Sequence, residues 1–248
     1  MTLTADLKKL ALDAGFVTVG IATPDMLRGL PHGWVHTVQN LLSPEEAFPA
    51  VKSVMLLGYY AWDKSLNTAV DSTYLLNHEK QTPNVPSERY QFYYEILKNK
   101  AWTIVDYLTK QGYEAHFSLS IPLKTAAVRC GLGCQGKNTL LVTPHYGPRI
   151  RLIAVLTNAE LDKDKPFTDD LCGDCEKCIK ACPTKALDPY QITITRCLTY
   201  AAEQPHAQDV PTDVRQIEKK LTRRPTPNSY IECTICIDAC PIGKPRQN

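Results

Sequence analysis

The chain has 248 residues, 28 basic and 26 acidic side chains and a net charge of +2, which argues against a dedicated nucleic-acid platform while leaving room for a local basic patch. Its 44% apolar content is that of a globular protein with a buried core, and no run approaches ~18 consecutive apolar residues, so no membrane span or membrane partner is expected. Ten cysteines behind a start, MTLTADLKKLALDAG, that is a poor secretory signal point to a reducing cytoplasm and to metal rather than disulfides.

In chain order, Leu3, Leu7, Leu10, Ala11 and Ala14 recur at helical spacing, and Gly15 ends that helix. Phe16–Ala22 reads as a strand, Ser43-Pro44-Glu45-Glu46 as a helix start, and Ser53–Tyr60 as a buried strand. Residues 64–88 are polar, carry Pro83 and Pro86, and read as a loop. A long helix is predicted from about Ser87 to Gly112, with Tyr93, Leu97, Ala101, Ile104 and Leu108 as its inner stripe. Tyr113–Ser120 reads as a strand, Pro122–Cys130 as a short helix, and Thr139–Thr143 and Arg149–Thr157 as strands. This alternation is that of an α/β domain ending near residue 158. A charged, apolar-poor linker, Ala159–Asp170, follows, and everything beyond it is organised around cysteine.

Cys172–Pro183 reads C-x2-C-x2-C-x3-C-P, the spacing of a bacterial ferredoxin run for a 4Fe-4S cluster. A second, incomplete run holds Cys233, Cys236, Cys240 and Pro241. In two-cluster ferredoxins the fourth cysteine of such a run ligates the other cluster. The expected sets are therefore Cys172, Cys175, Cys178 and Cys240 for one cluster, and Cys182, Cys233 and Cys236 for the other. The regular spacing would put the missing ligand at position 230, where Tyr230 stands, so Cys197 is the best replacement. Zinc also favours Cys-x2-Cys pairs, but a comb that ends twice in Cys-Pro is not zinc-finger spacing.

Gly131–Gly136, GLGCQG, matches a dinucleotide-binding glycine motif in letters only: a helix precedes it and a strand follows, the reverse of what that motif requires. Its glycines mean tight turns or a close approach, and a flat cofactor ring over Gly131, Gly133, Cys134 and Gly136 competes with a plain turn. Lys137 and Asn138 offer polar groups to a phosphate or an amide. Cys130 reads as a small buried residue, whereas Cys134, between glycines, keeps a reactive or ligating role open.

These stretches resemble the epoxyqueuosine reductase family and, more distantly, the reductive dehalogenases. The resemblance runs in order through LALDAGFVTVGIA, LSPEEAFPAVKSVMLLGYY, ERYQFYYEILK with Arg89 and Tyr90, AVRCGLGCQGKNTLLVTPHYG and the cysteine runs. It is similar also in using a lone upstream cysteine for the second cluster, as Cys197 does here. The resemblance implies an α+β chain: an α/β, nitroreductase-like cobamide-binding domain over residues 1–165, then a bacterial ferredoxin-like domain with two 4Fe-4S clusters over 166–248. It implies a cobamide-dependent reductase in which electrons pass from a ferredoxin or flavodoxin through both clusters to cobalt, with epoxyqueuosine in tRNA as the default substrate. The chain departs from the pattern at three places. Leu119 stands where the family carries an acidic proton donor, leaving Tyr90 and His116 as substitutes alongside Tyr93 and Tyr94; Cys134 replaces a tryptophan; and the sequence ends at Asn248, a short form without C-terminal helical repeats.

Two other functions compete with this one. An electron-transfer or activating protein would reduce a separate corrinoid protein, a reading favoured by the missing acid. A flavin on the first domain would make a flavin-dependent reductase. His145, Trp34, Trp62, Trp102 and the basic stretch Lys219–Arg224 read as surface or core residues before they read as site residues.

Overall fold

A computed structural model describes residues 2–29, 41–61, 68–71 and 89–243, with backbone alone for 70–71 and 89–90. Helix α1 (Leu3–Asp13) is capped by the Thr2 hydroxyl, which accepts from the Ala5 N–H, and the chain leaves it through Gly15 at φ +94°. Strand β1 (Thr18–Ala22) and a single 3-10 turn at Pro24–Leu27 follow. Helix α2 (Pro44–Ala47) carries the expected start signal as a capping box between Ser43 and Glu46. Then come β2 (Ser53–Tyr60), β3 (Thr68–Asp71), β4 (Arg89–Gln91), α3 (Tyr93–Lys110), β5 (Ala115–Ser118), α4 (Leu123–Arg129), β6 (Cys134–Gln135), β7 (Leu141–Val142) and β8 (Ile150–Thr157).

The main sheet has the order β1-β2-β8-β5, and every pair in it is antiparallel. The helix–strand alternation is thus realised without parallel crossovers. The sheet is buried on both faces, which is why its central strands read as unbroken apolar runs. On one face Met55, Leu57, Ile153 and Val155 meet Leu7 and Ala11 of α1 and Leu97, Ala101, Ile104 and Leu108 of α3. On the other, Val54, Leu56, Leu152, Ala154 and Leu156 meet Ala126 and Ala127 of α4 and Phe48.

Two expectations for the middle of the chain change. Residues 68–71 form a strand where a polar loop was expected, and the helix begins at Tyr93 rather than near Ser87 because residues 89–91 pair with β3. The partner that makes both strands possible comes from the cysteine region, so local composition could not show it. Residues 72–88 lie outside the described residues.

The segment after β8 has no helix or strand, but it is no free tether. The Asp164 carboxylate accepts from Lys8 Nζ at 2.6 Å and from the Ile21 N–H at 2.8 Å, and the Leu161 N–H donates to Ser53 Oγ. Beyond it come α5 (Lys177–Ala181), the β9–β10 hairpin (Leu187–Asp188, Gln191–Ile192), α6 (Leu198–Glu203), α7 (Thr212–Leu221), β11 (Ser229–Ile231) and α8 (Ile235–Asp238). The buried apolar cluster that joins α6 to α7 is small: Leu198, Ala201, Val210 and Val214. Strand β11 pairs with β3, completing a three-stranded sheet β11-β3-β4 and tying the cysteine region to the first half of the chain. No helix among the described residues is long and apolar enough to cross a membrane.

Candidate metal centres

Cys172, Cys175, Cys178 and Cys240 line one cavity of about 60 Å³ together with Leu171, Val142, Pro241 and Ile242. A tight turn from Cys172 to Cys175 and the short helix α5 present the first three. Cys240 is more than sixty residues further on, and Arg149 holds its turn in place. The Arg149 guanidinium donates to the carbonyls of Ile242 (2.7 Å), Ile237 (3.1 Å) and Cys240 (3.2 Å). The Lys137 N–H points at Cys172 Sγ (3.5 Å), a donor placed where a ligated sulfur carries negative charge.

Cys182, Cys197, Cys233 and Cys236 line a second cavity, of about 360 Å³. The Ala186 N–H donates to Cys182 Sγ at 3.3 Å. Cys197 is set at the start of α6 by its neighbour Arg196, which donates to the Thr184 carbonyl (2.7 Å) and pairs with Asp213 (2.6 Å). Tyr230, where regular spacing would have put a cysteine, is instead fully buried against Ala69 and Ala202. Both expected four-cysteine sets are therefore brought together. Among the described residues no three cysteine, histidine or acidic side chains close on a point that would hold a single ion. Each set of sulfurs rings a space, as a multi-iron cluster requires. Burial pushes the Cys233 thiol up to about 11 and Cys236 well above its ordinary value, because a lone thiolate is disfavoured there; bound iron would supply the compensating charge.

The glycine loop serves the narrow centre. A side chain at Gly131 would come within 2.6 Å of the Lys165 carbonyl, and one at Gly133 would strike the Val142 carbonyl. A side chain at Gly136 would meet Val142 Cγ2 at 2.5 Å. The chain's own backbone, in part the β6–β7 hairpin, occupies the places that side chains at Gly131 and Gly133 would take, so close packing accounts for these two glycines. Cys134 is buried and accepts from the Leu171 N–H; Cys130 packs in the core behind Gly20. Asn138 is the exception in the loop, since it lines both cavities.

Beyond its cysteines, the wide cavity is walled by Tyr94, Lys124, Asn138, Thr139, Leu140 and Arg151 of the first half and by Glu203 and Glu232 of the second. Arg151 pairs with Glu232 at 2.6 Å and lies over the Tyr93 ring. Lys124 is held down at about 8, first by burial and then by the Arg151 cation, against the opposing pull of Cys197 and Cys236. Nothing in PLKTAAVRC marked that lysine, which looks in the sequence like the solvated start of a short helix. A smaller neighbouring cavity shares Tyr94, Lys124, Leu140 and Arg151 and includes Leu119.

Other candidates fall elsewhere. His116 is exposed on the edge strand β5 against the Phe48 ring and lines neither cysteine cavity. The Tyr90 side chain, Trp34 and Trp62 lie outside the described residues. Trp102 is 58% exposed, His145 is exposed, and Lys219–Arg224 is the solvated end of α7, with Arg224 paired to Glu218. Tyr93 and Tyr94 pack against each other, 4.6 Å between ring centroids.

Comparison with known proteins agrees with this geometry. Residues 171–243 match the family described as 4Fe-4S double cluster binding domain. Over 264 residues the chain is 28% identical to the epoxyqueuosine reductase of Prochlorococcus marinus (strain NATL2A), covering 96% of this chain and 78% of the relative. A crystal structure of an epoxyqueuosine reductase with an epoxyqueuosine-modified tRNA-Tyr stem loop superposes with a TM-score of 0.68 at 23% identity, over 97% of this chain and 65% of that one. A reductive dehalogenase, whose structure suggests a mechanism for B12-dependent dehalogenation, superposes with a TM-score of 0.53 at 16% identity, over 86% of this chain and 33% of that one. Sequence, fold and cysteine pattern together make this chain an iron–sulfur oxidoreductase resembling the epoxyqueuosine reductases.

Proposed function

We propose that the chain reduces a substrate in the wide cavity with electrons that pass through two 4Fe-4S clusters. Cys172, Cys175, Cys178 and Cys240 hold the first, and Cys182, Cys197, Cys233 and Cys236 the second. The observation that carries this reading is the difference in room: about 60 Å³ lies among the cysteines of one centre, whereas those of the other line about 360 Å³. That surplus lies directly against the second set of thiols and is walled mainly by apolar side chains. It suits part of a large planar cofactor together with a substrate group.

In this reading one part of a cobamide would enter this space, with Asn138, Thr139 and Leu140 as its wall on the first-half side, and Gly131, Gly133, Cys134, Gly136 and Lys137 supporting that wall from behind. When bound, it supplies low-potential cobalt chemistry. The residues of the chain do the rest: Tyr94, Arg151 and Leu198 narrow the cavity, and the Arg151–Glu232 pair fixes the junction between the halves. In this reading residues 1–165 form the cofactor-binding domain and 166–248 the ferredoxin-like domain. The substrate is epoxyqueuosine in tRNA, the donor is a ferredoxin or flavodoxin, and the setting is the cytoplasm. Anaerobic reconstitution with iron, sulfide and excess cobamide, followed by gel filtration, should leave about eight irons and one cobalt per chain. The same iron with no cobalt would overturn the reading in favour of an electron carrier for a separate corrinoid protein.

A further inference from the structure

Asn138 lines both four-cysteine cavities, and the residues beside it divide between them. The Lys137 N–H points at Cys172 Sγ of the narrow set, whereas Thr139 and Leu140 line the wide cavity and not the narrow one. One short turn therefore forms the wall between the two sets of sulfurs. It is firmly held: the Gly136 N–H donates to the Leu140 carbonyl at 2.8 Å, and the Thr139 N–H donates to the Gly136 carbonyl at 2.8 Å. Thr139, a β-branched residue, sits at φ +62°, a conformation that only a well-fixed turn sustains. Gly136 is needed for room, since a side chain there would come within 2.6 Å of Asn138 Oδ1. Asn138 itself is 4% exposed. The Leu140 N–H donates to its Oδ1 at 3.3 Å, and because a backbone N–H can only donate, this contact fixes which end of the carboxamide is the oxygen. The Nδ2 end has no partner among the described residues. Aspartate or serine could close the same turn without burying two N–H bonds that lack an acceptor. The turn accounts for the oxygen and leaves the amide nitrogen unexplained. In the narrow cavity every other lining side chain is apolar or a cysteine, so sulfur is the acceptor that cavity offers.

We propose that Asn138 is a hydrogen-bond donor shared by the two clusters. One N–H of its Nδ2 goes to a sulfur of the cluster on Cys172, Cys175, Cys178 and Cys240, and the other to a sulfur of the cluster on Cys182, Cys197, Cys233 and Cys236. This rests on the ligand sets given under the proposed function. A cluster that gains an electron becomes more negative, and a hydrogen bond to its sulfur then strengthens. Such a donor favours the reduced form and raises the potential, which is one of the means by which a protein sets it. Both donors belong to one buried amide, whose orientation the Leu140 N–H fixes. The two potentials are therefore raised together, and the step between them is kept. Asn138 makes both clusters easier to fill from the same donor without altering the direction in which the electron moves between them. The chemistry asked of the residue is modest: it forms no bond to iron and transfers no proton.

The test uses the full chain, reconstituted with iron and sulfide, in which asparagine carries nitrogen-15 at its side-chain amide. Pulsed EPR of the reduced protein should show coupling to that nitrogen at both clusters. Among the described residues no other asparagine lines either cavity, so the coupling should vanish in Asn138→Leu. Potentiometric titration gives the second readout. In Asn138→Leu both potentials should fall, each by roughly a tenfold change in the reduction equilibrium, about 59 mV for a one-electron couple. Asn138→Asp keeps the oxygen that accepts from Leu140 but has no N–H and adds a negative charge, so both potentials should fall further. No coupling in the unaltered protein, coupling at one cluster only, or coupling that persists in Asn138→Leu overturns the proposal, as do potentials that stay in place in that variant. Should Asn138→Leu fail to hold its clusters, the labelled unaltered protein and Asn138→Asp decide the matter. Fewer than about eight irons per chain would sink the ligand sets and this proposal with them. Eight irons with both EPR signals and no coupling would sink the role of Asn138 alone.

Discussion

Two four-cysteine cavities are built from interleaved stretches of one short segment, yet they differ about sixfold in volume, 60 Å³ against 360 Å³. The narrow one is lined by its own apolar neighbours, receives an N–H from the glycine loop, and is gripped by Arg149 through three backbone carbonyls. The wide one takes its far walls from α3, α4 and β8 and leaves space between them and its sulfurs. Equal ligand sets therefore suit unequal tasks. A centre with room for little beyond its ligands suits relaying an electron, whereas one that faces a larger cavity has space for an acceptor beside its sulfurs. Sequence spacing makes the two look like copies; the scaffold makes them different.

The largest effect should come from taking one set apart. Cys236→Ser should lower iron from about eight to about four per chain, leave the EPR signal of the first cluster in place and abolish substrate reduction. If the iron stays near eight, the ligand assignment is wrong. The grip on the narrow centre comes next. Arg149→Ala leaves two buried carbonyls and one part-buried one without their donor, and unfolding by denaturant should show a loss of about 2–4 kcal/mol, with the first cluster becoming the more easily chelated of the two. The smallest change tests the wall of the wide cavity. Arg151→Met leaves Glu232 buried without its cation and should cost about 3 kcal/mol, and adding Glu232→Leu should recover much of that. A double variant no better than the single one would show that the pair does not hold the wall.

Much of the iron chemistry was legible because ligand spacing is local and thiolate is the group that iron requires. Counting what each cluster lacked singled out Cys197, and the fold brings it to the cavity that Cys182, Cys233 and Cys236 line. The central strands were legible for a similar reason: Ser53–Tyr60 and Arg149–Thr157 carry apolar runs that only a doubly covered sheet would use. What could not be read depends on distant parts of the chain. Residues 68–71 become a strand because Tyr230 and its neighbours pair with them, and the polar letters around them gave no hint. Lys124 is an unremarkable lysine until three other elements close over it. The glycine loop could be read two ways from its letters, and the Val142 and Lys165 carbonyls, which come from distant parts of the chain, supply a packing reason for Gly133 and Gly131. His116 suits proton transfer by residue type, but the pairing of β5 puts it on an exposed edge.

The pairing of β11 with β3 has a consequence for biogenesis. A chain emerging from the ribosome can complete its four-stranded sheet by Thr157, but β3 then waits for a partner that lies among the last cysteines. The apolar cluster of that stretch is small, so bound metal would help to order it and to bring the partner strand into place. Until then β3 keeps an open hydrogen-bonding edge, the kind of surface that quality-control machinery recognises. Ordering of the last cysteines on metal binding would thus bear on the three-stranded sheet as well as on the sulfurs themselves.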